Sequence, residues 1–203
     1  MKKFLAFTIF TTIVGLAAAC SNAPETTTNR PTNTTVANNT TTTNTAAPKT
    51  DDETPSAVKA AFSDANSFTK QHKDLSQDQI SHIEKDTGAK VPDTDHHSYL
   101  AFSNAGGTRK QIGAATVIKA NGKEFVVVYD NKDGSPIIKE VRGEGVSADF
   151  LKEFAGKGHD DKFQIGADLK ASGVDDAMAK AIAQAVKIDA ITMQTLYGAA
   201  HSH

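Results

Sequence analysis

Two turn dipeptides, each set between short stretches rich in apolar residues, restrict the fold of this chain more than any other feature. They are Asn121-Gly122 and Asp133-Gly134. Such pairs readily adopt the positive backbone angles that two-residue hairpin turns require. The flanking stretches are rich in Val, Ile, Phe and Tyr, which favour strands. The three stretches are residues 111–120, 124–130 and 136–142. They are predicted to form an antiparallel meander, with residues 98–104 as a further strand before it.

Helical patterns precede these strands. Val58, Phe62, Ala65 and Phe68 recur at helical spacing, which predicts an amphipathic helix from Ser56 to about His72. A second helix is predicted to begin after Ser76, because Gln79 lies at the capping-box distance from it. Gly88 is expected to end this second helix.

The chain closes with two further predicted helices. Ser147 precedes a short one over residues 148–156, and a long one runs from about Val174 to Tyr197. The long helix carries an apolar stripe and meets Gly198 at its end. Residues 56–198 are therefore predicted to form one α+β domain, with N-terminal helices, an antiparallel meander and a long C-terminal helix packed on the sheet. Residues 199–203 form a tail.

Residues 1–19 have the composition of a signal peptide. Lys2 and Lys3 precede an apolar run of about 13 residues, which is too short to span a membrane, and three alanines follow it. Cys20, the only cysteine, stands where a bacterial lipoprotein carries its lipid, so we expect lipidation there. The alternative is secretion with a free thiol. Either alternative implies an extracytoplasmic protein, and lipidation implies one held at the cell envelope through membrane lipid.

Residues 20–55 are dominated by Thr, Asn, Ala and Pro and show no apolar periodicity. A segment of this composition buries too little apolar surface to offset the entropy of ordering, so it is predicted to be a disordered tether. The whole chain has 22 basic and 24 acidic residues, with no basic block and no tryptophan. This composition does not favour a nucleic-acid partner.

The start of the long helix allows two interpretations. Backbone N–H groups at a helix N-terminus can hold a phosphate, but Ser172 can equally cap the helix with Asp175 at its third position. Asp175 and Asp176 would stabilise the helix dipole and repel a phosphate. Sequence physics therefore favours the cap. No metal site is predicted, because His72 and His82 fall on separate predicted helices and His96 and His97 are adjacent in sequence.

Three segments resemble the FMN-binding domain family. They are LSQDQISHIEKDTGAKVP, FVVVYDNKDGSPIIKEV and ADFLKEFAGKGHDDKFQIGADLKASG, followed by the long closing helix. That family includes the flavin-bearing subunits of sodium-translocating quinone reductase and of related ion-pumping ferredoxin complexes. It also includes envelope lipoproteins with a single such domain. The resemblance covers residues 75–198.

In flavinylated members of that family, the threonine of an Asp-x-x-Ser-Gly-Ala-Thr motif carries FMN through a phosphoester bond. Matched on Ser172-Gly173, the present chain continues with Val174 and has Asp175 in place of the threonine, while a gapless match puts Asp176 there. Leu169 stands at the position of the motif aspartate. The acceptor hydroxyl is missing in either match, so covalent attachment is not expected.

The resemblance implies an electron-transfer domain at the bacterial cell envelope that binds FMN non-covalently and meets a redox partner there. The cofactor-binding residues that it indicates are Ser172, Gly173, Val174, Asp175 and Asp176. Gly106-Gly107 and residues 156–159 are expected to form further walls of the site. No residue is assigned a catalytic role, and an electron-transfer or binding protein is favoured over a substrate-transforming enzyme. The alternatives are a flavin-free binding or structural module, and a metal binder using His96, His97 or His159.

Overall fold

The computed structural model of this chain describes residues 53–199. The predicted signal peptide, Cys20, nearly all of the tether, and His201 and His203 lie outside the described residues. The helices are α1 (Ser56–Ala61), α2 (Gln77–Thr87), α3 (Ala148–Lys152) and α4 (Asp176–Tyr197). The strands are β1 (Ser67–Asp74), β2 (Asp95–Ser103), β3 (Lys110–Ala120), β4 (Lys123–Lys132) and β5 (Ser135–Gly143). A single 3-10 turn, Ala105–Gly107, joins β2 to β3.

The five strands form one antiparallel sheet in the order β1-β2-β3-β4-β5, so each strand pairs with its neighbour in sequence. The predicted meander is confirmed, and so is the α+β class with the long C-terminal helix on the sheet. Asn121 and Asp133 have positive φ angles of 49° and 53° in the two predicted turns. The turn dipeptides therefore take the backbone conformation that their residue types favour.

The prediction of one helix from Ser56 to His72 is wrong. Helix α1 ends at Ala61, and β1 begins six residues later as an additional edge strand. The backbone N–H of Asn66 donates to the carbonyl oxygen of Phe102, and its side-chain oxygen accepts from Asn104, so this residue turns the chain into the sheet. The misleading pattern has a physical reason, because Val58 of α1, Phe62 directly after it and Phe68 of β1 all belong to one buried cluster.

The predicted boundaries of the second helix, α2, are confirmed. The hydroxyl of Ser76 accepts from the backbone N–H of Gln79, and the Gln79 side chain accepts from the backbone N–H of Ser76. Gly88 ends the helix in the left-handed conformation at φ 69°. The short helix after Ser147 is also present, although it ends at Lys152 and the Ser147 side chain makes no capping hydrogen bond.

Each face of the sheet is covered by a different helix. Helix α4 packs on one face, where the largest buried cluster combines residues of β3, β4, β5, α3 and α4. Helix α1 covers part of the other face, against residues of β2, β3 and β4. Within residues 53–199, no helix is both long enough and apolar enough to cross a membrane.

We predict that Gly113→Ala destabilises the fold by about 1–3 kcal/mol, because it overpacks the contact between the sheet and Phe62, the residue that follows α1. A methyl group on Gly113 would lie 2.7 Å from Cε1 of Phe62 and 3.2 Å from the backbone oxygen of Tyr129. Chemical denaturation monitored by circular dichroism measures the change. Lys110→Ala, an exposed substitution on the same strand, serves as the control. Equal stability of the two variants would contradict this account of α1 packing.

Candidate functional site

Strands β2 and β3 separate along part of their length. Their pairing runs from Ser103 and Lys110 to Tyr99 and Ala115, and ends there. Beyond this point residues 95–98 continue to pair with β1, and residues 116–120 continue to pair with β4. A cleft of about 710 Å³ occupies the gap, and we call it the seam cleft. Its volume falls within the range of about 300–1,000 Å³ that is usual for small-molecule sites.

The walls of the seam cleft come from both strands, from α4 and from the connection between α2 and β2. The apolar lining residues are Leu75, Val91, Pro92, Val117, Ile118, Ala120, Ala181, Ala185 and Ile188. The ionisable lining residues are Lys90, Asp93, Asp95, His96, His97, Lys119 and Asp189. Both His96 and His97 contribute, although successive strand residues point to opposite faces. The cleft therefore reaches both faces of the sheet at the seam.

A buried carboxylate lies beside this cleft. Asp189 of α4 is 6% exposed, and its Oδ2 accepts hydrogen bonds from Thr116 Oγ1 at 2.5 Å and Tyr129 Oη at 2.6 Å. Its Oδ1 lies 3.3 Å from His96 Nε2. One helix side chain thus contacts β2, β3 and β4, and we call these four residues the Asp189 network. Hydrogen bonds to a charged acceptor are among the stronger ones in proteins, so this network fixes α4 on the sheet.

His96, like Thr116 and Asp189, belongs to the network and also lines the cleft. Its side chain is 12% exposed, and its Nδ1 is buried without a hydrogen-bond partner among residues 53–199. A carboxylate only accepts, so Nε2 must carry the proton in the contact with Asp189. In a neutral imidazole, Nδ1 is then an acceptor. A ligand with an N–H or O–H group would complete this histidine's hydrogen bonding.

The five residues indicated by the flavin motif lie elsewhere. Residues 172–176 lead into α4 and are exposed except for Val174, which is half-buried against the main core. None of them lines the seam cleft or a second cavity of about 830 Å³ near the C-terminal end of α4. The prediction that Ser172 caps the helix is wrong. Asp175 is the cap residue, and its Oδ1 accepts from the backbone N–H of Met178 at 3.0 Å. The helix begins at Asp176, so the carboxylate of Asp175 already occupies the position where an anion would bind.

Gly106-Gly107, one of the two expected walls, does not converge with this connection. The N-terminal end of α4 lies at the β3–β4 turn, where Asn121 Nδ2 is 3.7 Å from Met178 Sδ. The C-terminal end lies at the β4–β5 turn, where the backbone N–H of Ala199 donates to the carbonyl oxygen of Gly134. In an antiparallel meander, the β2–β3 turn with Gly106-Gly107 lies at the same end of the sheet as the β4–β5 turn. Residues 106–107 and 172–176 are therefore at opposite ends of α4.

The structure also brings together residues that the sequence analysis kept apart. His72 lies on β1 rather than on a helix, directly opposite His97 of β2. Asp95 lies two residues before His97 and faces the same side of the sheet. We call His72, Asp95 and His97 the His–Asp cluster. The signal that would have indicated it is the period-two pattern of residues 67–74, which the helical spacing of Val58, Phe62, Ala65 and Phe68 obscured.

No protein-family model, curated protein or solved structure matches this chain.

All three tyrosines of the chain have raised pKa values. Burial is the main cause in each. The Asp189 charge adds to the rise for Tyr129, whose pKa lies well above its usual value, and for Tyr197, whereas Glu53 adds to it for Tyr99. A raised pKa means that the folded state favours the neutral phenol. The resulting stability is complete below the unfolded pKa of about 10 and is lost as the pH rises above it.

We predict that the tyrosines of the folded protein ionise at higher pH than those of the denatured protein, whose midpoint should lie at about pH 10. Absorbance at the phenolate band measures both titrations. Tyr129→Phe should weaken the loss of stability above about pH 10, and should cost about 1–3 kcal/mol at neutral pH by removing a hydrogen bond to a buried charge. Tyr99→Phe is the control for the effect at neutral pH only, because Tyr99 belongs to the opposite cluster from Asp189 but also has a raised pKa. Identical titrations of folded and denatured protein would contradict the described burial.

Proposed function

We propose that this chain is a flavin-binding electron-transfer protein of the cell envelope, which holds FMN non-covalently in the seam cleft. The observation that carries the proposal is His96, a lining residue whose buried Nδ1 has no hydrogen-bond partner within residues 53–199. The resemblance of residues 75–198 to FMN-binding domains supports the choice of ligand.

The chemistry of the cleft fits a flat heterocycle with one polar edge. The flavin ring presents an N–H group between two carbonyl oxygens along that edge. His96 Nδ1 is an acceptor of the kind that this N–H requires, and the strand edges at residues 95–98 and 116–120 carry backbone N–H groups beyond the end of the β2–β3 pairing. Val117, Ile118 and Ile188 supply apolar surface for the rest of the ring.

The phosphate of FMN requires positive charge, and the cleft lining includes two lysines. Lys90 and Lys119 are 89% and 78% exposed, and each is paired with a glutamate, Glu84 and Glu124 respectively. Their ammonium groups are the donors within the lining that a phosphate would meet. The start of α4 is a poorer phosphate site, because Asp175 caps it and Asp176 follows.

Bound FMN would supply the redox chemistry, since a flavin ring accepts and returns electrons. The residues of this chain would orient the ring, exclude water from its buried edge and hold the proton on His96 Nε2 through Asp189. The predicted lipid at Cys20 and the predicted tether of residues 20–55 would keep the domain near the membrane, within reach of a redox partner.

The placement of the ligand is tested by blocking the cleft. Ala181 lines it from α4, and an indole at this position would fill part of its volume. We expect the purified wild-type chain to bind FMN and Ala181→Trp to raise the Kd at least about tenfold, a change of ~1.4 kcal/mol. Flavin fluorescence quenching measures the affinity, and the visible spectrum of protein purified from its host shows whether flavin is retained.

Ala177→Trp is the matched control, because Ala177 is exposed one turn earlier on the same helix and does not line the cleft. It should bind FMN as the wild type does. Binding that is equally weakened in both variants would overturn the seam cleft as the site. A wild-type chain that binds no flavin would favour the alternative function, a flavin-free binding or structural module.

Covalent attachment provides a second test. Asp175→Thr with Val174→Ala recreates Ser-Gly-Ala-Thr, and threonine is also an acceptable helix cap. Co-expressed with a flavin transferase, the wild type should give no fluorescent band on a denaturing gel, whereas the double variant should acquire flavin. Leu169→Asp is left out, because Leu169 is 1% exposed in the main core and a charge there would be buried. A fluorescent wild-type band would contradict the role assigned to the missing hydroxyl.

A further inference from the structure

The His–Asp cluster lies on the edge of the sheet, across β1 and β2. His72 pairs with His97 and Asp74 pairs with Asp95 in the antiparallel register. Side chains at alternate positions of a strand, and side chains directly opposite on neighbouring strands, share one face. Four groups capable of binding a metal are thus fixed in one patch by the backbone pairing.

The distances within the cluster are those of groups that converge on one point. His72 Nε2 lies 2.8 Å from Asp95 Oδ1, and His97 Nδ1 lies 3.6 Å from the same oxygen. One potential ligand atom from each of the three residues lies within 4.8 Å of the other two. Four ligand atoms held at about 2.0–2.1 Å from a tetrahedral zinc ion are separated by about 3.4 Å. The two distances from Asp95 Oδ1, 2.8 Å to His72 and 3.6 Å to His97, fall on either side of this ligand–ligand separation.

One oxygen of the Asp95 carboxylate lacks an adequate hydrogen bond. Its Oδ1 is buried without a partner of acceptable geometry among residues 53–199, despite its short distance from His72 Nε2. That nitrogen instead makes its hydrogen-bond contact with Asp74 Oδ1 at 3.3 Å. A buried carboxylate oxygen left without a hydrogen bond is costly, and a cation beside it would remove the cost.

We propose that the His–Asp cluster is a binding site for a divalent transition-metal ion of the zinc type. The protein ligands are His72 Nε2, His97 Nδ1 and Asp95 Oδ1, with Asp74 within reach as a fourth. Two imidazoles and a carboxylate suit Zn²⁺ and its first-row neighbours, whereas Mg²⁺ and Ca²⁺ prefer oxygen ligands alone.

The site is preorganised and open to solvent. The rings of His72 and His97 are stacked with centroids 5.1 Å apart, so neither must reorient far to share an ion. The side chains of His72, Asp95 and His97 are 54%, 41% and 35% exposed, which leaves a path for the ion to enter. Asp95 and His97 also line the seam cleft, so a bound ion would lie at its wall.

The experiment titrates Zn²⁺ into the purified full chain, without added flavin, in competition with a chromophoric chelator. We expect one ion to bind with an affinity that His97→Ala and His72→Ala each lower at least about tenfold. Asp95→Asn keeps the size of the side chain and should lower it as well. Excess Mg²⁺ should not displace the bound Zn²⁺. Circular dichroism checks that each variant is folded. If a histidine variant is unfolded, the Zn²⁺ affinity of Asp95→Asn decides whether the proposal holds.

Two controls separate this site from other histidines. His82 is 60% exposed on α2, pairs with Asp86 and is not a member of the cluster, so His82→Ala should bind Zn²⁺ as the wild type does. His201→Ala with His203→Ala removes the His-x-His sequence of the C-terminal tail and should also leave the affinity unchanged. The proposal is overturned if Asp95→Asn binds as tightly as the wild type, or if binding is lost only in the tail variant. Either result leaves the flavin proposal unaffected.

Discussion

The fit of helix α4 on the sheet depends on one buried carboxylate. Asp189 is surrounded by the main apolar cluster, yet it accepts from Thr116 and Tyr129 and contacts His96. A carboxylate in such a place is tolerated only when its lone pairs are satisfied, and each partner comes from a different strand. Rotation or sliding of α4 would break these contacts together. The Asp189 network therefore adds directional hydrogen bonds to the apolar packing of α4.

The same constraint explains how an open seam can exist inside a sheet. Strand β2 leaves β3 at Tyr99 and keeps its pairing with β1, so residues 95–98 are held on one side only. The contact between His96 and Asp189 ties this half-strand to α4 across the gap. Because successive side chains of a strand point to opposite faces of the sheet, residues 95–98 contribute contacts on both faces. His96 turns toward the helix, while Asp95 and His97 turn toward the opposite face and His72.

The elements predicted correctly were those whose signals are local. Asn121-Gly122 and Asp133-Gly134 need no tertiary information, and the Ser76–Gln79 capping box likewise involves neighbours along the chain. Strand β1 was missed because a helix and a strand that bury residues in the same cluster can imitate a single helical period. The Asp189 network and the His–Asp cluster join residues that are far apart in sequence, so spacing within one segment did not reveal them. The cap at Asp175, three residues from the one expected, shows that adjacent polar residues compete for a helix end.

The position of α4 at the end of the chain has a consequence for how the domain is completed. All five strands precede it, so the sheet can be synthesised in full while Thr116 and Tyr129 still lack the acceptor that they need once buried. Until residue 189 arrives, one face of the sheet is an uncovered apolar surface. The meander places every strand beside its sequence neighbour, which favours early assembly of the sheet through short loops. Packing of the last helix then completes the domain. A chain truncated before α4 would retain the strands but expose an apolar, aggregation-prone face of the sheet.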